Sequence, residues 1–179
     1  MTATEGVPYS TPDQAAQFRA VILPHLDAAY NLARFLVRDP VAAEDIVQDA
    51  FLRAFRAFPG FQGQSPKAWL FAIVRNCFFD WVKDNRNSGA VTDESTDQTE
   101  ETPESIVRRN EEVHMVRTMI ENLPEPFRET IILRELEEMS YKEIAVLTQV
   151  PIGTVMSRLA RAREMLSKLL LPRKMGASV

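Results

Sequence analysis

Apolar residues recur along this chain at steps of three and four, not two. Phe18, Ile22, Leu26, Tyr30 and Leu36, with Ala33 and Val37 beside them, form one such stripe, the spacing of a helix with a buried face. Asp39-Pro40 stops it, because a residue preceding proline is pushed out of helical backbone. A second helix is expected from about Val41 to Phe58. Ile46, Val47, Ala50, Phe51, Ala54, Phe55 and Phe58 lie on one face, and Glu44, Asp45, Gln48, Asp49, Leu52, Arg53 and Arg56 on the other. Pro59-Gly60-Phe61-Gln62-Gly63-Gln64 reads as a loop. Ser65 as N-cap and Pro66 at the first helical position then open a third helix that reaches about Lys83.

The pattern lapses from Asn87 to Glu100, where almost nothing can be buried and ordering entropy has nothing to offset it. It resumes at Ile106 and runs to Asn122, where Leu123-Pro124 ends the helix. Another helix covers Glu125 to Glu138, with Phe127, Ile131, Ile132 and Leu136 as its stripe. Ser140 followed three residues later by Glu143 is a capping-box signature for a short helix. A turn through Gln149-Val150-Pro151-Ile152-Gly153 leads to a last helix from Thr154 to about Leu170. No strand alternation competes. The expected fold is all-α: two small helical domains at 13–84 and 106–171, joined by a flexible acidic linker at 85–105. Tails lie at 1–12 and 172–179, and the second domain contains a helix-turn-helix.

Charge changes the picture more than composition does. The 179 residues carry a net charge of −4, which taken alone argues against a nucleic-acid partner. The distribution is uneven. Residues 85–107 hold Arg86 against Asp93, Glu94, Asp97, Glu100, Glu101 and Glu104, whereas residues 154–179 hold Arg158, Arg161, Arg163, Lys168, Arg173 and Lys174 against Glu164. Positive charge therefore gathers on the last helix. One cysteine, Cys77, and two histidines, His25 and His114, exclude a disulfide framework and are too few for a Cys- or His-rich metal site. No apolar run approaches the roughly 18–20 residues that cross a bilayer, and the N-terminus has no export signal. A cytoplasmic protein without cofactor, metal or catalytic residue is expected.

Ser140 to Leu159 is the most informative segment. Two helices joined by a short turn can pack steeply and leave the second prominent, and a major groove about 12 Å wide accepts it. Ile144, Ala145, Leu147, Val150, Val155 and Leu159 supply the apolar inner positions. The other side of the last helix offers hydroxyls and arginines suited to phosphates and base edges.

Leu123-Pro124-Glu125-Pro126-Phe127-Arg128-Glu129, with Gly153-Thr154-Val155-Met156-Ser157-Arg158-Leu159-Ala160-Arg161-Ala162-Arg163, resembles the promoter-reading C-terminal domain of bacterial sigma factors, above all the extracytoplasmic-function (ECF) group. The first segment is similar too, in Asp39-Pro40, in Ala43 to Phe51, in Ala68 to Asn76 and in Asp80. Two departures stand out: Gln149 occupies a position where many helix-turn-helix sequences have Gly, and Met156 one where ECF proteins often carry a basic residue.

The resemblance implies a subunit that joins core RNA polymerase and directs it to promoter DNA. It implies core docking by Asp45, Gln48, Asp49 and Arg53, and downstream, minus-ten element contacts by Phe61, Gln62, Lys67 and Asn76. Upstream, minus-thirty-five element contacts fall to Thr154, Met156, Ser157, Arg158, Arg161 and Arg163. It also implies an anti-sigma factor as partner and no direct insertion into a membrane. Trp69, Phe71, Phe78, Phe79 and Trp81 are expected in the core, with Cys77 a small buried hydrophobe among them. A dimeric repressor would lack a reason for the first domain, an enzyme would lack its nucleophile or cofactor loop, and a helical adaptor would leave Gly153 to Arg163 unexplained.

Overall fold

Pro24 divides what the first apolar stripe joins. The computed structural model, which describes residues 12–63, 65–87 and 104–174, has α1 at Pro12–Val21, a 3-10 turn at Leu23–His25 and α2 at Leu26–Val37. Proline lacks the N–H an uninterrupted helix needs there, so the single helix expected across this stretch becomes two. Phe18 on α1 still reaches the core, meeting Phe51, Phe55 and Phe58 edge-on with ring centroids 6.2, 5.1 and 5.4 Å away.

Asp39 does more than stop α2. Arg38 ends that helix in left-handed backbone at φ 62°, and Asp39 then caps α3 (Pro40–Ala57), its Oδ1 accepting from Val41 N at 2.8 Å and Ala42 N at 3.3 Å. Fully buried Ala43, Ala50 and Ala54 bring α3 close to its neighbours. The helix α4 spans Pro66–Asn87, longer than its apolar pattern indicates, with Ser65 Oγ accepting from Ala68 N at 3.3 Å. Leu70, Phe71 and Val74 on α4 are fully buried against α2 and α3. Cys77 and Phe78 are buried as expected, while Trp69, Phe79 and Trp81 are partly buried against the same core.

The second helical region comprises α5 (Glu104–Glu121), α6 (Glu125–Ile131), α7 (Tyr141–Thr148) and α8 (Ile152–Lys174). The helix expected to reach Glu138 instead widens after Ile131 into a π-helical turn, Ile132–Leu136, a local insertion that re-aims side chains. Glu135 there faces α8 and Glu137 faces α4. At α7 the capping box is complete. Ser140 Oγ accepts from Glu143 N at 3.2 Å, and Glu143 Oε2 accepts from Ser140 N at 2.8 Å. Gln149 ends α7 in left-handed backbone at φ 57°, the conformation for which many such turns use glycine. Helix α8 begins two residues before Thr154 and buries Val155, Leu159 and Ala162 against α6 and α7.

The acidic residues of 88–103 and the tails 1–11 and 175–179 lie outside the described residues. Residues 85–87 and 104–105, which the charge pattern assigns to the linker, are helical. Among the described residues no helix is long and apolar enough to cross a membrane.

Candidate functional site

Helix α8 starts from a rigid base. Gln149 N donates to Val146 O, Val150 N donates to Ala145 O at 3.1 Å, and Pro151 O accepts from Thr154 N and Val155 N at 2.9 and 3.2 Å. A three-residue turn thus joins α7 to α8, and buried Ile144, Leu147, Val155 and Leu159 hold the pair together. Opposite that buried stripe, α8 exposes Gly153, Ser157, Ala160, Arg161, Glu164 and Lys168.

The six residues expected to read the upstream element do not share one side. Helical spacing places Thr154, Ser157, Arg158 and Arg161 together, whereas Met156 and Arg163, seven apart, lie on another side. Thr154 and Arg158 are half-buried, and Arg158 stands close enough to Glu129 to favour its ionised form. Ser157 Oγ donates to Thr154 O at 3.0 Å. Arg163 donates from Nη2 and Nε to Glu135 Oε1, at 2.6 and 3.2 Å, and that carboxylate raises its pKa. Met156, Ser157 and Arg161 are the exposed members of the set with no ion pair described.

The downstream candidates divide as well. Phe61 is partly buried, stacked on Phe58 with centroids 5.9 Å apart and tilted against Trp69 at 5.0 Å. Gln62 is exposed. Lys67 reaches into the second region, where its Nζ donates to Glu137 O at 3.0 Å and pairs with Glu137 Oε2 at 2.6 Å. Asn76, with Trp69 and Ala72, lines a cleft of about 480 Å³ whose other wall is α7, through Lys142, Glu143 and Val146.

The docking candidates form a coherent face. Asp45 and Gln48 are exposed on α3. Arg53 pairs with Asp49 at 2.8 Å and crosses to Asp80 on α4 at 2.7 Å, so the two carboxylates raise its pKa and fix its position. Leu52, 57% exposed in the middle of this face, is an apolar residue that charge-based reading passes over. Cys77 beneath it is buried, and burial pushes its thiol up to about 12, which leaves it an unreactive packing residue.

Polar groups fasten the two regions to each other, and none of them is distinguishable within its own helix. Arg75 Nε donates to Glu129 Oε1 at 2.7 Å; the Glu129 side chain is only 2% exposed, and its burial raises the carboxyl pKa despite the guanidinium beside it. Arg128, also buried, donates to Leu36 O at the end of α2 (3.2 Å) and to Glu121 O and Leu123 O at 3.1 and 3.0 Å. Arg117 stands over the Phe35 ring, 5.3 Å from its centroid. The partners come from opposite sides of the undescribed stretch, so no local periodicity could have revealed them.

Comparison with known proteins follows the same division. The family model for Sigma-70 region 2 matches residues 21–88, and that for Sigma-70, region 4 matches residues 114–166. The chain is similar to RNA polymerase sigma-H factor of Pseudomonas aeruginosa, 33% identical over 167 residues covering 87% of this chain and 86% of the relative. It is also similar to ECF RNA polymerase sigma-E factor of Escherichia coli K12, 34% identical over 145 residues covering 72% and 73%. Among solved structures, RpoE from Bartonella quintana in complex with the anti-sigma factor NepR aligns with TM-score 0.74 and 29% identity, over 86% of this chain and 96% of that one. CnrH in complex with the cytosolic domain of CnrY aligns with TM-score 0.63 and 26% identity, over 88% and 95%.

Proposed function

This chain belongs to the ECF RNA polymerase sigma factors, and we propose that its two regions divide promoter reading as follows. The outer face of α8 lies in the major groove of the upstream element. The loop before α4 and the start of that helix take the downstream element, and the α3 face around Leu52 docks on core polymerase. The observation that carries this reading is the α7–turn–α8 unit: a capped short helix, a three-residue turn and a following helix that buries one stripe and leaves Ser157, Arg161 and Lys168 outside. A helix so mounted fits a duplex groove, and its cationic end supplies the phosphate contacts that dominate affinity. As a sigma factor the chain is a specificity subunit of transcription initiation, not an enzyme.

The packing of the two regions bears on how the subunit works. Lys67 and Asn76 face α7 in this arrangement, so the downstream element reaches them only after the regions part. Docking on polymerase drives that separation, and the acidic 85–105 segment discourages DNA binding by the free chain. The solved relative from Bartonella quintana is bound to an anti-sigma factor, and a cognate anti-sigma factor is the corresponding partner here, holding the regions away from polymerase. The test is reconstitution. Adding the full chain to core polymerase yields promoter-specific transcripts that core alone does not make; association with no new start site refutes the reading.

A further inference from the structure

The outward positions on the first two turns of α8 are of a peculiar kind. Ile152 and Met156, one helical turn apart, are 44% and 53% exposed, and Gly153 and Ser157 are exposed beside them. A Cβ added at Gly153 would meet nothing within 4 Å, so a partner surface can come up to the backbone there. The first charged residue of the helix, Arg158, is half-buried near Glu129, and the first exposed one is Arg161, in the third turn. Gln149, the nearest amide, precedes the helix and lines the cleft against α4.

Direct readout of guanine calls for Arg or Lys, of adenine for Asn or Gln, and of cytosine for Asp or Glu. None of these types stands among the four outward positions, and the Ser157 hydroxyl, which singles out no one base, already donates to Thr154 O at 3.0 Å. The base feature they match is the thymine 5-methyl group, which projects into the major groove and is read by apolar contact. We infer that this chain selects its upstream element through thymine methyls packed against Met156 and Ile152, while Arg161 and Lys168 hold phosphates. The inference rests on α8 entering the major groove. Charge supports DNA as the occupant of this apolar face, because residues 154–179 carry six basic side chains against one acidic. The unbranched thioether of Met156 can follow a methyl group through several rotamers, so small shifts in docking do not lose the contact.

The experiment uses the full chain assembled with core polymerase and duplexes that this holoenzyme selects from a library randomised in the upstream element. Each selected thymine is then replaced by uracil, which deletes the methyl and leaves base pairing intact. One or two positions are expected to lose about fourfold in affinity, the value of one buried methyl group. With Met156→Ala the same uracil costs nothing further, and with Met156→Leu the penalty persists. Met156 is exposed, so neither change disturbs the core. Indifference to uracil at every position overturns the inference, as does a Met156→Ala holoenzyme that keeps the full penalty. If Met156→Ala reads every duplex like the parent but binds core polymerase less well, the apolar face belongs to a protein contact and the inference falls. A parent holoenzyme that selects no upstream element overturns the promoter-reading role along with it.

Discussion

Replacing Arg75 with alanine should open the molecule without unfolding either half. The guanidinium lies 2.7 Å from Glu129 Oε1 and is 17% exposed, and the carboxylate is 2% exposed. At an effective dielectric near 20, unit charges 4 Å apart attract by about 4 kcal/mol, and removing one partner of a buried pair costs about 3–5 kcal/mol because the other charge is stranded. Two features lower that cost. Arg158 lies near enough to stabilise the same carboxylate, and Glu129, its pKa already raised by burial, can take up a proton. A loss of about 3 kcal/mol follows, roughly a hundredfold in the closed-to-open equilibrium. The chain escapes the cost by separating its two regions and letting water reach Glu129, since each retains its own buried helix contacts. Dyes on cysteines introduced at exposed Leu52 and Ser167, with buried Cys77 changed to alanine, would report the distance between regions by single-molecule energy transfer. Arg75→Ala should shift the population to low transfer, while circular dichroism shows helices retained. Arg75→Met with Glu129→Gln, which strands no charge, should restore high transfer. Unchanged transfer in Arg75→Ala, or loss of helix at the same temperature as loss of transfer, would refute the reasoning.

Other consequences can be measured independently. Because burial raises the Glu129 pKa, the closed packing binds that proton more tightly than the open chain does. Its stability is therefore greatest below the ordinary carboxylate range and falls as pH rises through the raised value; Glu129→Gln should flatten that part of a stability-against-pH curve. Ser140→Ala removes the side-chain half of the α7 capping box and should cost about 1 kcal/mol in urea unfolding of the second region. Leu52→Asp should weaken core-polymerase binding by about tenfold in a titration, more than the exposed Asp45→Ala does, because apolar anchors outweigh rim charges. Arg161→Ala should reduce the slope of log affinity against log salt by about one for the holoenzyme on its promoter.

The helices, the caps at Ser65 and Ser140 and the family were readable from the chain alone because each depends on neighbours within a few positions. The 3.6-residue repeat exposes a buried face, Ser140 and Glu143 are three residues apart, and Gly153 to Arg163 is one uninterrupted block. Even the exceptions had a local cause: Pro24 splits the first helix, and the π-helical turn ends α6 earlier than its apolar stripe indicates. The side-chain roles were less legible. Arg53, Lys67 and Arg163 look alike in sequence, three cations on helix surfaces, yet one crosses to Asp80, one to Glu137 and one to Glu135.

Sequence by itself determined that this is an all-helical chain of two regions, since helix periodicity and capping act over a single turn. Only the tertiary structure decided that Arg75 meets Glu129, that Arg128 reaches the end of α2, and that α7 covers the start of α4. These contacts join residues dozens of positions apart across a stretch without apolar pattern. Their strength comes from being removed from water, a condition that exists only once both regions have packed.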